Sequence, residues 1–291
     1  MRSRTLVQAL VQCAVFSGSA VLGACGGGEP EIAPALPAAS HTLRSTVSAG
    51  TGSVPNWNGA YMFTDDDSSA YAELAQTATA NTRVTWPIYH RDAAIESSVT
   101  PADTVYIGAS LGDVTSGAQQ KPPYVFYDPE HWSATPLTEQ QNPAAAIAKA
   151  AQIVHAAGKK FGVTPDGEFM GVYRCTFVMS KSIIQSVDWT QVDELNIQAQ
   201  HLASDNTCTK VGSSSFQYMV TQIAAYVKSQ NPNIAIVAQV SMRDSSPARI
   251  LAAAGSVYGI AEAIHVSYPA GSTQGCNYCS PADLATVLHG L

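Results

Sequence analysis

The chain has 291 residues, of which 46% are hydrophobic and only 13% charged, with a formal net charge of −7. Average soluble proteins carry roughly 25% charged residues, and nucleic-acid affinity comes mainly from Lys and Arg neutralising phosphates. An acidic chain poor in cations therefore excludes nucleic acid as a partner. High apolar content at modest charge also excludes wholesale disorder and leaves enough material for a substantial core.

Arg2 and Arg4 precede an apolar run from Leu6 to Leu22, the basic start and hydrophobic stretch of an export signal. Gln8, Gln12, Ser17 and Gly18 interrupt the run. It falls short of the about 20 mostly apolar residues that a permanent membrane span requires. The run ends in Leu22-Gly23-Ala24-Cys25, which resembles a bacterial lipobox. That resemblance implies cleavage of residues 1–24 and lipidation of Cys25. With Gly26 rather than Asp behind the cysteine, it also implies the outer membrane or cell surface. An ordinary signal peptide with a secreted product is the alternative. Residues 25–55 are dominated by Gly, Ala, Pro, Ser and Thr, which cannot bury enough surface to offset ordering, and read as a spacer.

Eight short apolar runs follow as expected strands: Gly59–Thr64, Arg83–Tyr89, Thr104–Ser110, Tyr124–Asp128, Lys160–Thr164, Val192–Ala199, Asn233–Val240 and Ala263–Tyr268. Helical patterns are predicted over Ser68–Thr82, over Pro143–Ala157 with Asn142 as N-cap, and over Ser214–Gln230. Two more open at Ser246-Pro247 and Ser280-Pro281. Strands alternating with helices predict parallel βαβ units. Eight of them across residues 56–291 predict a single (β/α)8 TIM-type barrel, for which about 250 residues is typical. Connections between the second and fourth strands are expected to be irregular. An open doubly wound sheet is the alternative, but no Gly-rich phosphate turn follows the first strand.

Beyond Cys13 and Cys25, the chain contains Cys175, Cys208, Cys276 and Cys279. Four cysteines in an exported chain predict two disulfides, with Cys175–Cys208 and a tight Cys276–Cys279 loop favoured among three connectivities. Cys276-Asn277-Tyr278-Cys279 has no second cysteine pair at matching spacing for a zinc ribbon. It lies in a Gly/Ser-rich loop rather than at a strand-to-helix redox turn.

Residues i and i+2 of a strand share a face, so each barrel strand sends alternate side chains inward. Several expected strands finish in polar residues at that spacing. They are Asp128 and Glu130 on the fourth, Asp166 and Glu168 after the fifth, and Asn196, Gln198 and Gln200 on the sixth. The seventh has Gln239, Ser241 and Arg243, and the eighth His265 and Ser267. Buried polar groups cost roughly 1–3 kcal/mol each unless hydrogen-bonded, and active sites of barrels lie at the C-terminal strand ends. The pattern predicts a ligand cleft there. The alternative is a satisfied polar plug.

Within Tyr124-Val125-Phe126-Tyr127-Asp128-Pro129-Glu130-His131-Trp132, apolar residues deliver two carboxylates to one place. Desolvated together they cannot both ionise freely, and one is expected to stay protonated for general-acid work. Trp132, Trp57, Trp86, Tyr61 and Tyr268 offer flat faces for sugar rings. Glu130 facing Asp166 or Glu168 would make a carboxylate pair whose separation decides between retention and inversion. No Gly-x-Ser-x-Gly elbow is present. No cofactor or metal site is expected: His90 and Asp92 lack a paired-histidine motif, and Asp65–Asp67 reads as a solvated acidic turn.

The Asp128-x-Glu130 ending of the fourth strand, with Val192–His201 and its Asn196-Ile197-Gln198, resembles the family-18 glycoside hydrolases, the chitinase-like barrels. The resemblance implies Glu130 as the acid protonating a glycosidic oxygen. It implies Asp128 as the neighbour orienting a substrate N-acetyl group. The family's two earlier aspartates fall at Pro123 and Phe126 here, its sixth-strand tyrosine at Gln200, and its eighth-strand tryptophan near Tyr268. The expectation is a lipid-anchored glycoside-hydrolase-like barrel with a carbohydrate ligand bound by Trp132, Gln198, Gln200, Gln239, Arg243 and Tyr268. The alternative is a non-catalytic glycan- or envelope-binding lipoprotein. Oligomeric state is not legible.

Overall fold

The computed structural model describes residues 60–64, 82–87, 104–204, 208, 215–243, 245–268 and 276–291. The export segment with Cys25, the spacer, Trp57, Asp65–Asp67, His90, Asp92 and all but the last residue of the helix expected over Ser68–Thr82 lie outside them.

The first five strands are β1 (Ala60–Thr64), β2 (Thr82–Pro87), β3 (Thr104–Gly108), β4 (Tyr124–Tyr127) and β5 (Lys160–Val163). A small hairpin follows, β6 (Val172–Tyr173) with β7 (Thr176–Phe177), and then β8 (Glu194–Ile197), β9 (Ala235–Ser241) and β10 (Ala263–Tyr268). Eight of these close a barrel in the order β1-β10-β9-β8-β5-β4-β3-β2, every neighbouring pair parallel. The fold is a TIM-type α/β barrel, and the open-sheet alternative falls.

Helix α1 (Leu111–Ala118) lies between β3 and β4, where no helical pattern was expected. Its start is a capping box: Ser110 Oγ accepts from the Asp113 N–H at 3.1 Å, and Asp113 accepts from the Ser110 N–H at 3.1 Å. After β4 come α2 (Leu137–Gln141) and α3 (Pro143–Ala156). Pro143 opens α3 as expected, but the Asn142 side chain makes no cap bond. Helices α4 (Gln200–Ala203) and α5 (Phe216–Gln230) join β8 to β9. Helices α6 (Pro247–Ser256) and α7 (Pro281–Gly290) follow β9 and β10. The irregular connection among the described residues falls after β5. There the β6–β7 hairpin and three 3₁₀ turns, Met179–Lys181, Ile183–Gln185 and Trp189–Gln191, replace a helix.

Strand parity divides the side chains into two layers of different chemistry. Facing the helices are Tyr106, Val125, Tyr127, Phe161, Val163, Leu195, Ile197, Ile236, Ala238, Val240, Ile264, Val266 and Tyr268, all part of one apolar core. Facing the barrel axis are Val105, Ile107, Phe126, Glu194, Asn196, Val237 and His265. Apolar burial at about 25 cal/mol per Å² is therefore supplied outside the barrel, and the axis is left to a smaller, partly polar filling.

Phe126 occupies the axis because its register partner is Gly162. A Cβ at Gly162 would lie 2.3 Å from the Phe126 ring, closer than packed carbons approach. Gly162→Ala is expected to cost about 1–3 kcal/mol by overpacking, measured by urea denaturation, and Phe126→Leu in the same chain should recover much of that loss. Equal stability of the single variant and the parent would contradict this packing.

Candidate active site

Parity carries the inward face of β4 from Phe126 to Asp128, whose N–H extends the ladder to the Gly108 carbonyl at 2.9 Å. Pro129 has no N–H and ends the strand. Glu130 then turns over the barrel mouth, its N–H donating to Thr135 Oγ1 at 3.1 Å while the Thr135 hydroxyl donates to the Ala109 carbonyl at 2.9 Å. Gln140 Nε2 donates to the carbonyls of Trp132 at 2.8 Å and Thr135 at 2.7 Å. The segment carrying Glu130, His131 and Trp132 is thus braced along its length.

On β8, the same parity brings Asn196 and then Gln198 inward. Gln198 Nε2 lies 2.9 Å from Asp128 Oδ1, 3.2 Å from Glu130 Oε1 and 2.9 Å from the Thr164 carbonyl. An amide nitrogen has two hydrogens to offer, so the two carboxyls and the carbonyl share them. Gln200 Nε2 donates to Gln198 Oε1 at 3.1 Å, which orients the Gln198 amide with its nitrogen toward the acids. The two carboxyls meet through Gln198, and no direct hydrogen bond joins them among the described residues.

Burial pushes the Asp128 carboxyl well above the ordinary carboxylate range, and the nearby charges of Glu130 and Asp166 push it further, against the Gln198 hydrogen bond. Glu130 is raised too, by burial and then by Asp166, again against Gln198. The pair is therefore biased toward keeping a proton that free carboxyls release.

Beneath this pair is a second polar layer. Asn196 Nδ2 lies 3.0 Å from Thr164 Oγ1, 2.8 Å from Gln239 Oε1 and 2.8 Å from His265 Nδ1. Burial drives the His265 imidazole down to about 3, so it stays neutral at ordinary pH.

Above the acids opens a cleft of about 820 Å³ lined by Glu130, His131, Trp132, Asp166, Glu168, Gln198, Gln200 and Arg243, with Tyr173 and Arg174 from the hairpin. Most of the expected site residues converge here. Two do not. Gln239 is 8% exposed and belongs to the layer below. Tyr268 is fully buried, its hydroxyl donating to the Cys279 carbonyl at 2.6 Å. Its parity is opposite to that of His265 and Ser267, so it faces the helices.

Asp166 is placed differently from a free opposing carboxylate. Its Oδ2 accepts from the His131 N–H at 2.8 Å and lies 2.8 Å from His131 Nδ1, and its Oδ1 accepts from the Phe169 N–H at 2.7 Å. A carboxylate oxygen accepts, so Asp166 holds both the backbone and the ring of His131 in place. The ring packs on Phe169 with centroids 3.9 Å apart. Glu168 stands at the rim, its side chain 70% exposed and 3.7 Å from His131 Nδ1. His131, Tyr173 and Arg174 were absent from the expected site. The adjacency of His131 to Glu130 was a legible signal; nothing in the sequence places the hairpin.

Both expected disulfides form, Cys175–Cys208 and Cys276–Cys279. Among the described residues no group of three or more His, Cys, Asp or Glu is arranged to hold a metal ion, and no helix is long and apolar enough to cross a membrane.

No family model matches the chain, and no curated protein does. Among solved structures it is similar to triosephosphate isomerase from Bartonella henselae, at 8% identity over 80% of this chain and 98% of that one, with a TM-score of 0.49. It is also similar to a sugar phosphate isomerase/epimerase from Parabacteroides distasonis, at 9% identity over 82% and 95%, with a TM-score of 0.44. At that distance neither likeness bears on chemistry.

The raised acids make stability depend on pH with a defined sign. Above about pH 4 the unfolded carboxyls have released their protons, while the native pair retains one. The native state then binds more protons, so stability falls as pH rises. Asp128→Asn is expected to flatten that decline above the ordinary carboxylate range, followed as the urea midpoint at each pH. An unchanged slope would show that the Asp128 proton is not held by the fold.

Proposed function

We propose that the protein is a glycoside-hydrolase-like barrel that cleaves a polysaccharide or glycan by carboxylate acid/base chemistry. The observation that carries this reading is the pair of raised carboxyls, Asp128 and Glu130, sharing the Gln198 amide at the floor of an open cleft. Glu130 lines the cleft and acts as the acid, passing its proton to the glycosidic oxygen as the bond to the leaving sugar breaks. Asp128 lies deeper and holds the pair's charge balance. On the β5 side, the carboxylate of Asp166 is committed to orienting His131. The role of guiding a water molecule falls to the His131 imidazole, and Trp132, 39% exposed, offers a face to a sugar ring.

The lipobox-like Leu22–Cys25 supports export and anchoring through a lipid on Cys25. Two disulfides support a passage through an oxidising compartment.

One observation favours a second reading, a surface lipoprotein that binds glycan without cleaving it. Phe126 packs against Gly162 where the chitinase-like barrels carry a further acid. The test is reducing-end release from a panel of neutral, amino-sugar and acidic polysaccharides by the parent and by Glu130→Gln. The expected outcome is hydrolysis by the parent and a loss of at least about a hundredfold in the variant, the low end for a general acid, with an unchanged fold by circular dichroism. Full activity of Glu130→Gln removes the mechanism, and binding without turnover across the panel selects the second reading.

A further inference from the structure

The rim of the cleft carries charge that the acid/base chemistry does not use. Arg174 and Arg243 both line it and are exposed, and among the described residues neither is paired with a carboxylate. Three acids share the cleft with them, Glu130 after β4, and Asp166 and Glu168 in the same connection after β5 that carries Arg174.

Both arginines are held on braced backbone. Arg174 and Cys175 form the tip of the β6–β7 hairpin with φ values of 44° and 64°, a two-residue turn for which Asn-Gly is the unstrained choice. Residues held in that region persist where the surroundings over-determine them, and they cluster at ligand clamps. Here the Cys175–Cys208 crosslink ties the tip to the segment after β8. Arg243 follows β9, and its carbonyl accepts from the Asn277 N–H at 3.2 Å, within the loop closed by Cys276–Cys279. Cys276 Sγ also lies 3.4 Å from the Met242 carbonyl. Each crosslink therefore stands behind one arginine.

The Arg174 guanidinium lies 5.3 Å from the Tyr173 ring centroid, and Tyr173 is 63% exposed. An aromatic ring takes the apolar face of a sugar, and a guanidinium fork takes a carboxylate or sulfate through two hydrogen bonds. We infer that the cleft takes an acidic glycan, its rings bearing carboxylate or sulfate groups read by Arg174 and Arg243. The inference rests on the glycan reading above and adds the class of chain. Anionic substituents are drawn to the two guanidinium groups and repelled by the carboxylates of the same cleft. A net charge of −7 repels polyanions at long range, so recognition depends on these local contacts.

The test is calorimetric titration of the full-length chain carrying Glu130→Gln, which suppresses turnover during binding. The probes are oligogalacturonate, chondroitin sulfate, chitohexaose, cellohexaose and polyglutamate. Acidic oligosaccharides are expected to bind at least about tenfold tighter than the neutral ones and than polyglutamate. Arg174→Gln and Arg243→Gln should each weaken them about tenfold, while Arg174→Lys, which lacks the planar fork, should not restore binding. Binding of oligogalacturonate shows that carboxylates suffice, and binding of chondroitin sulfate without oligogalacturonate shows that sulfate is required. Equal binding of neutral chains, equal binding of polyglutamate, no effect of the arginine variants, or no binding at all overturns the inference. Reducing-end release by the parent from the same chains separates the two readings. Glu130-dependent cleavage of neutral chains alone removes only the acidic-glycan inference. Arginine-dependent binding of acidic chains without cleavage removes only the hydrolase.

Discussion

One side-chain amide holds the candidate site together. Gln198 Nε2 reaches both carboxyls at the end of β4 and the carbonyl of Thr164 at the end of β5. It does so from the end of β8, which the barrel pairs with β5. Without that pairing, two desolvated acids at the end of β4 would have no donor between them. Buried polar groups left without partners cost roughly 1–3 kcal/mol each, and more when charged. The amide offsets part of that cost while leaving both acids raised, so burial outweighs the hydrogen bond.

The barrel tolerates such an interior because its apolar stabilisation lies elsewhere. Val125, Tyr127, Leu195, Ile197, Val240 and Val266 all face outward and pack under helices in one continuous core. The inward positions of those strands are thereby freed for Asn196, Gln198, Gln239 and His265. The same division explains what could be read from sequence. Runs of strand-forming residues separated by helical patterns specify eight parallel strands, and the period of two identifies Asp128 and Gln198 as neighbours inside. Applied consistently, that period also excludes Tyr268, which shares its face with Ile264 and Val266 rather than with His265. Gln239 obeys the period and is inward, but it sits one layer too deep. Parity gives the face of a residue and not its height along the barrel.

What stayed illegible came from interactions distant in sequence. The capping box that starts α1 uses Asp113, a short side chain in the place of the usual Glu or Gln, ahead of a segment with weak apolar periodicity. The β6–β7 hairpin has Arg-Cys at its tip instead of Asn-Gly, so no turn signal marks it; the crosslink to Cys208 holds a conformation that local preference disfavours. Asp166 was visible as an acid near the mouth. That its carboxylate is spent on two backbone N–H groups and an imidazole depends on the fold of the Glu130–Trp132 segment, itself fixed by Thr135 and Gln140.

Phe126 holds the inward position of β4 before Asp128. The axis at that level is filled by an aromatic ring packed against Gly162. The charges that raise Asp128 are those of Glu130 and Asp166, both of which line the cleft. Beyond burial, the charges that act on it therefore lie on the cleft side. A ligand that displaces water from above Glu130 desolvates the pair further and favours the protonated form that the proposed acid role of Glu130 requires. In the polar layer beneath, the neutral His265 imidazole adds no positive charge to oppose that shift. Occupancy of the cleft and readiness of the acid are thus coupled through a single pair of carboxyls and the amide between them.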